Sequence, residues 1–272
     1  MHRYLWIAAL SAAGLAAAAP TRQEQPFRWS GRIAAGKTIE VKGVRGTIRA
    51  LPASGSEVEV VAVKRGGRSA PETVRMEVVP HEDGVTVCAV YPRGSRDGRR
   101  DRGGEGEGGY NRCDPGDWRG LNVEDNDVSV DFTVRVPAGV RLAARNVSGD
   151  VHAEGLRGRV DARSVSGDVR ISTSDYGEAS TVSGEIFASL GNGRWSGELD
   201  FRTVSGDVTL ELPARTSTEV RIETMSGEIR SDFPLDVERR QMRRRVRGTL
   251  GEGGRELYVT TLSGDVRLVR SR

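Results

Sequence analysis

Lysine is nearly missing from this chain: Lys37, Lys42 and Lys64 stand against 38 arginines in 272 residues. The net charge is only +3 although the pI is near 9.1, so the charge balance does not argue for nucleic acid. The arginine bias favours bidentate pairing with carboxylates and phosphates. Histidine is equally scarce. His2 lies at the extreme N-terminus, His81 in an expected hairpin turn and His152 just after a repeated motif. Two cysteines, Cys88 and Cys113, without a histidine beside them make a poor zinc site. No Gly-x-Ser-x-Gly elbow and no Ser-x-x-Lys occurs. Neither His-Glu-x-x-His nor a phosphate-binding glycine-rich loop is present. These absences leave no catalytic residue, metal ligand or cofactor-binding residue to name, and the chain reads as a non-enzyme without a cofactor. Helical periodicity is almost absent too, the best and still weak stretch being Val237–Arg247.

What is present begins with a leader. Met1-His2-Arg3 is a short cationic head, followed by an apolar stretch from Tyr4 to Ala19 and polar Thr21-Arg22-Gln23-Glu24. Ala16 and Ala18 supply small residues at −3 and −1, so residues 1–18 read as a signal peptide cleaved after Ala18. The stretch is shorter than the roughly 20 residues a membrane span needs. No later segment is apolar enough to cross. The expected location is periplasmic or secreted. In such an oxidising compartment Cys88 and Cys113 can close their intervening loop as a disulfide, two free thiols being the alternative.

Six copies of one pentapeptide dominate the rest. They are Val147-Ser148-Gly149-Asp150-Val151, Val165–Val169, Val182–Ile186, Val204–Val208, Met225–Ile229 and Leu262–Val266. Around each glycine the apolar alternation changes phase. Leu199, Phe201 and Thr203 share one parity before Gly206, and Val208 and Leu210 the other after it. In the same way, Val165, Met225 and Leu262 read with the inward residues that follow their glycines. A strand alternates its side chains with period two, so a one-residue slip exchanges inside and outside. The chain must bulge or turn a corner there, at a residue free to take unusual backbone angles. The corner glycines are Gly149, Gly167, Gly184, Gly206, Gly227 and Gly264, with Gly46 in a degenerate upstream copy, Val44–Ile48.

The expected fold is all-β: a repeat β-solenoid, β-helix or β-roll-like, over 137–272, with an N-terminal β-meander in 19–136. A stacked antiparallel β-sandwich is the alternative. The meander takes strands at Glu57–Lys64, Val74–Val79, Val85–Tyr91 and Val128–Val136. A charged loop occupies 93–120, its Arg93–Gly109 part lacking any apolar period.

The motif acids Asp150, Asp168, Glu185, Asp207, Glu228 and Asp265 should stack about 5 Å apart, each like-charge pair costing on the order of 1 kcal/mol in water. Hydrogen bonds that Ser and Asp oxygens accept from corner N–H groups would offset this. Ion pairs to Arg145, Arg163 and Arg202, or to Arg170, Arg230 and Arg267, would add to it. A calcium column is the alternative, but the Gly-Gly-x-Gly-x-Asp nonapeptide it needs is missing. Asp114, Asp117, Glu124, Asp125 and Asp127 cluster near Cys113 without the spacing of a calcium loop. Arg239, Arg240, Arg243, Arg244, Arg245 and Arg247 form a basic insert. It reads as a loop or a charge-protected edge strand, or as a contact for an anionic partner.

With these motifs in place, the chain resembles the bacterial "putative adhesin" family of extracytoplasmic domains of unknown function, number four-zero-nine-seven in the DUF series. Thr203–Val208 and Thr181–Ile186 are nearest to its Thr-Val-Ser-Gly-Asp-Val repeat. Val136–Val140 and Gly248–Gly254 look like its framing segments, so the resemblance spans roughly residues 30–272. The charged loop and the arginine insert depart from that pattern. The resemblance implies an all-β repeat fold and an envelope setting, and it carries no catalytic residues. The function expected is binding or scaffolding at the cell envelope, with a protein, an anionic polysaccharide or a lipid headgroup as partner. A regulatory partner in envelope stress is the alternative, and a polysaccharide-cleaving β-helix enzyme a weaker one.

Overall fold

A computed structural model describes residues 26–92, 110–117, 123, 125–193, 195, 197–240 and 243–271, with backbone alone for 236–240, 243 and 244. The N-terminal strands are β1 (Phe27–Gly31), β2 (Thr38–Lys42), β3 (Ile48–Pro52), β4 (Val58–Arg65), β5 (Arg75–His81), β6 (Gly84–Val90) and β7 (Ser129–Val136). The repeats give β8 (Arg141–Arg145), β9 (Val151–Leu156), β10 (Val160–Arg163), β11 (Val169–Thr173), β12 (Gly177–Ser180), β13 (Ile186–Leu190), β14 (Leu199–Arg202) and β15 (Val208–Pro213). Then come β16 (Thr218–Ser226), β17 (Ile229–Ser231), β18 (Asp236–Arg240), β19 (Arg243–Leu250), β20 (Glu256–Ser263) and β21 (Val266–Ser271). One 3-10 turn, Pro71–Thr73, interrupts them.

Within the repeats the chain lays one strand in an eleven-stranded sheet, turns at the Ser-Gly-Asp corner, and lays the next in a ten-stranded sheet. Neighbouring coils pair in parallel and in register, as Val169 opposite Ile186 and Ile186 opposite Val208. This is a two-sheet β-solenoid. The parallel body rules out the antiparallel sandwich. Like side chains therefore stack in rows: Val151, Val169, Ile186, Val208 and Val266 from one sheet face Leu142, Val160, Leu199 and Leu257 from the other, all within the core. Each such aliphatic side chain contributes about 2 kcal/mol on burial.

Chain order and spatial order part company at both ends. The last coil, β20 and β21, lies between β14/β15 and β16/β17 and pairs in parallel with both. At the other end β6 and β7 form a coil outside β2 and β3, with β6 parallel to β2 and β7 parallel to β3. Antiparallel strands finish the sheets: β5 on one and β4 then β1 on the other at the N-terminal end, and β19 then β18 at the C-terminal end. The four strands expected in the N-terminal region are thus members of the two long sheets.

Two expectations need correction. Val237–Arg247 is no helix but the antiparallel pair β18 and β19, with Val237 opposite Val246. Val246 and Leu250 are buried at an even spacing, and burial on one face of a strand prevails over a weak helical pattern. The motif's first apolar residue also fails to join the core. Val182, Val204, Met225 and Leu262 are exposed and Val165 is half-buried. The chain bends between the inward threonine and the glycine, and this residue falls on the outside of the bend.

Candidate functional site

The corner is the feature the chain repeats, so its chemistry comes first. All seven corner glycines have positive φ, from 106° at Gly46 to 159° at Gly227. They stack closely: a Cβ on Gly206 would come within 2.0 Å of the Gly184 carbonyl oxygen, and one on Gly264 within 2.0 Å of that of Gly206. A side chain at either position would collide with backbone as well as strain it.

The residue three before each glycine ties the coils together. Thr181 donates its hydroxyl to the Gly167 carbonyl at 3.0 Å, Thr203 to Gly184 at 3.2 Å, Thr261 to Gly206 at 3.2 Å and Thr224 to Gly264 at 3.1 Å. Ser164 does the same to Gly149, and the Asn146 amide bridges Gly46 and Gly149 at the first repeat. Sequence reasoning missed this column, because a threonine in an alternating strand carries no sign of its partner.

The motif acids do stack, and each aspartate uses one oxygen between coils. The backbone N–H of Asp168 donates to Asp150, that of Glu185 to Asp168, that of Asp265 to Asp207 and that of Glu228 to Asp265, at 2.8–2.9 Å. Among the described residues the ladder breaks only after Glu185, whose longer side chain is not held against the next coil. The expected bonds from serine are not made. Ser148, Ser166, Ser183, Ser205, Ser226 and Ser263 are exposed, and their hydroxyls have no partner among the described residues.

Charge pairing is also redistributed. Arg145 and Arg163 pair with Asp161, and Arg202 with Asp200, on the outer face of the eleven-stranded sheet, not with the motif acids. Parity explains it: four residues before the glycine, a side chain still points away from the corner row. Glu178 sits between Asp161 and Asp200, where burial pushes its carboxyl above the usual range against the pull of Arg159. Arg230 reaches Glu228 and Arg267 reaches Asp265 and Asp207, whereas Arg170 stacks over the Phe187 ring.

The basic insert forms the edge of the eleven-stranded sheet. Arg239 lies opposite Arg244 and Arg240 opposite Arg243, so the six arginines occupy two parities rather than one face. Arg245 pairs with Glu223 at 2.7 Å, and Arg247 is exposed. The side chains of Arg239, Arg240, Arg243 and Arg244 lie outside the described residues, as do the expected leader (1–18), the Arg93–Gly109 loop and Glu124.

Cys88 and Cys113 form a disulfide with Cα atoms 5.8 Å apart. It fastens the 110–117 segment over the outer face of β2 and β6. There Lys42, fully buried, donates to the main-chain carbonyls of Asp114 and Asp117 and lies 3.5 Å from Glu40, which in turn accepts from Gly116 N–H at 3.0 Å and the Thr86 hydroxyl at 2.8 Å. Asp114 and Asp117 thus serve through their backbone. Asp127 accepts the N–H groups of Arg68 and Ser69, which hold its carboxyl well below the ordinary range. Among the described residues no three His, Cys, Asp or Glu side chains converge to hold a metal ion. His81 meets the Thr86 hydroxyl at 3.2 Å, and His152 approaches Asp150 at 3.8 Å.

A groove of about 340 Å³ runs across three coils beside the exposed corner row, lined by Arg202, Val204, Glu223, Met225, Thr260 and Leu262 among others.

Two solved structures resemble the chain at low identity. A "putative cell adhesion protein" from Clostridium sporogenes is 9% identical over 91% of this chain and 100% of that one, with a TM-score of 0.43. A "putative adhesin" from Bacteroides fragilis is 12% identical over 90% and 98%, with a TM-score of 0.32. No curated protein matches. The family of unknown function described as Toastrack DUF4097 matches residues 121–269, more than half of the length, and the chain belongs to that family.

Proposed function

We propose that this protein is a non-catalytic binding or scaffolding component of the bacterial cell envelope, exported by residues 1–18 and acting in the periplasm or outside the cell. The observation that carries the reading is the use the fold makes of its repeated polar residues. Threonine and aspartate, the groups a hydrolase would need free and gathered in one cleft, are spent one per coil in holding the next coil. What remains is a long array of like surfaces, suited to an extended or repetitive partner. The basic hairpin that edges the eleven-stranded sheet adds a contact for an anionic envelope polymer, a lipid headgroup or an acidic protein surface.

The test is retention of the mature chain on washed envelope fractions, against a variant with Arg239, Arg240, Arg243, Arg244, Arg245 and Arg247 all changed to Gln. Retention should fall in the variant and should fall with salt in the parent. Equal retention of both removes the hairpin from the function, and no retention of either removes the envelope reading. N-terminal sequencing of the exported protein should start at Ala19.

A further inference from the structure

Within the motifs, the threonine hydroxyl, the glycine and the aspartate carboxylate are bonded to or packed against a neighbouring coil, whereas the two residues between threonine and glycine meet the next coil through their main chain and leave their side chains outside. Val182, Val204, Leu262 and Met225 are 43–48% exposed, although every other large hydrophobic side chain described is buried or half-buried. The hydroxyls of the six serines beside the corner glycines are exposed and have no hydrogen-bond partner among the described residues. Stacking arranges these residues as an apolar row, a hydroxyl row and, two positions further, a carboxylate row, each repeating about every 4.8 Å. The groove along Val204, Leu262 and Met225 continues the apolar row towards the outer face of the sheet.

The dimensions select the occupant. Six coils and three residues make a strip about 24 Å long and about 10 Å wide, on the order of 250 Å². A stable protein interface needs about 800 Å² from each partner, so the strip is too narrow for a second copy of this chain. An added peptide strand would need free main-chain groups. Those of the corner are already used between coils: Ser166 N–H donates to the Val147 carbonyl, Gly167 N–H to Ser183, Ser183 N–H to Val165 and Gly184 N–H to Ser205, and so on to Gly264 and Ser226. Only side chains remain to recognise a ligand.

Charge completes the selection. The carboxylates of Asp168 and Glu185 have no cationic partner among the described residues, and each keeps at least one oxygen free. They repel phosphate- or uronate-bearing polymers and accept hydrogen bonds from hydroxyl groups. A sugar ring offers an apolar C–H face and a rim of hydroxyl donors, and an extended β-linked chain repeats these once per ring, close to the spacing of the coils. We propose that the corner strip binds an extended, uncharged, β-linked glycan. The rings lie along Val182, Val204, Leu262 and Met225, and their hydroxyls bond to the serine and carboxylate rows. This deepens the envelope-binding reading and rests on it, but uses a surface separate from the basic hairpin.

Titration calorimetry of the purified mature chain with cellohexaose and with chitohexaose tests it. One variant carries Ser166→Ala, Ser183→Ala and Ser205→Ala, and a second carries Val182→Thr, Val204→Thr and Leu262→Thr. All six side chains are exposed or half-buried, so the melting temperature should stay within a few degrees of the parent. At least one hexasaccharide should bind, and both variants should bind it at least tenfold more weakly. No binding of either sugar at millimolar concentration overturns the proposal, as does equal binding by the parent and both variants. A lysine-bearing extended peptide that binds the strip where the sugars do not would reassign it to peptide and overturn the glycan. Envelope retention is measured separately. In the parent, retention without sugar binding sinks the strip alone, and sugar binding without retention sinks the envelope reading alone.

Discussion

Between Arg141 and Pro213 the coils stack in the order in which the chain makes them, each bonded to a neighbour fewer than 25 residues away, as Val169 to Ile186 and Ile186 to Val208. At the ends the order is exchanged. Val266 sits beside Val208, across 58 residues, and Ile48 sits beside Phe132, across 84. The middle is a solenoid of the ordinary kind, whose stability is a sum of coils and nearest-neighbour contacts. The ends abandon that locality and gain closure: the outermost coils carry antiparallel strands, and the final coil cannot fray because both its edges are paired.

The sharpest way to break the comparison is deletion. Removing 256–272 takes out an interior coil and leaves β14/β15 facing β16/β17 across an empty slot. The cooperative thermal transition should be lost in circular dichroism, whereas an exact in-register deletion of one middle coil, 164–180, should leave a cooperative though less stable fold. Next in size is the glycine column. Gly206→Ala brings a Cβ within 2.0 Å of a carbonyl oxygen and should cost about 3 kcal/mol or more. Gly36→Ala, also at positive φ but with nothing within 4 Å, should cost about 1 kcal/mol. Urea titration separates the two.

At the N-terminal end, Cys88→Ser with Cys113→Ser should lower stability by about 3 kcal/mol, read by urea titration against the parent. A middle-coil Thr203→Val should cost about 1 kcal/mol, because the Gly184 carbonyl then loses the Thr203 hydroxyl as its donor. The smallest effect concerns acid. The folded Asp127 carboxyl lies below its unfolded value near 3.9. Its contribution is therefore full above about pH 4, declines as pH falls towards the folded value and is gone below it. Asp127→Asn should flatten that acid limb in stability measured from pH 2 to pH 6.

Much of this architecture could be read before any coordinates. The parity of Leu199, Phe201 and Thr203 against Val208 and Leu210 is enough to give two strands, a corner and a coil. Val204 was harder, since the phase slip can fall on either side of the serine and valine suits both an inner and an outer position. The exchanged ends were illegible for a physical reason: near-identical coils can each pair with any other, so the repeat does not say which neighbour a coil takes. Glu40 and Lys42 stand on the outer side of their strand by parity. Nothing local reveals that residues 110–117 will cover them. For the candidate strip, the repeated Val and Ser were visible, but their lack of partners could be seen only once those of Thr and Asp were known.

The exchanged coil also puts timing into the structure. A chain made from its N-terminus presents β16 and β17 before the strands that separate them from β14 and β15 exist. Both sheets must therefore stay open by one strand's width, with unpaired N–H and C=O groups on either side, until residues 256–271 arrive. Folding should show a late, single step that closes both sheets at once. Any helper that shields strand edges during synthesis would act in that interval, on a gap that the finished protein no longer contains.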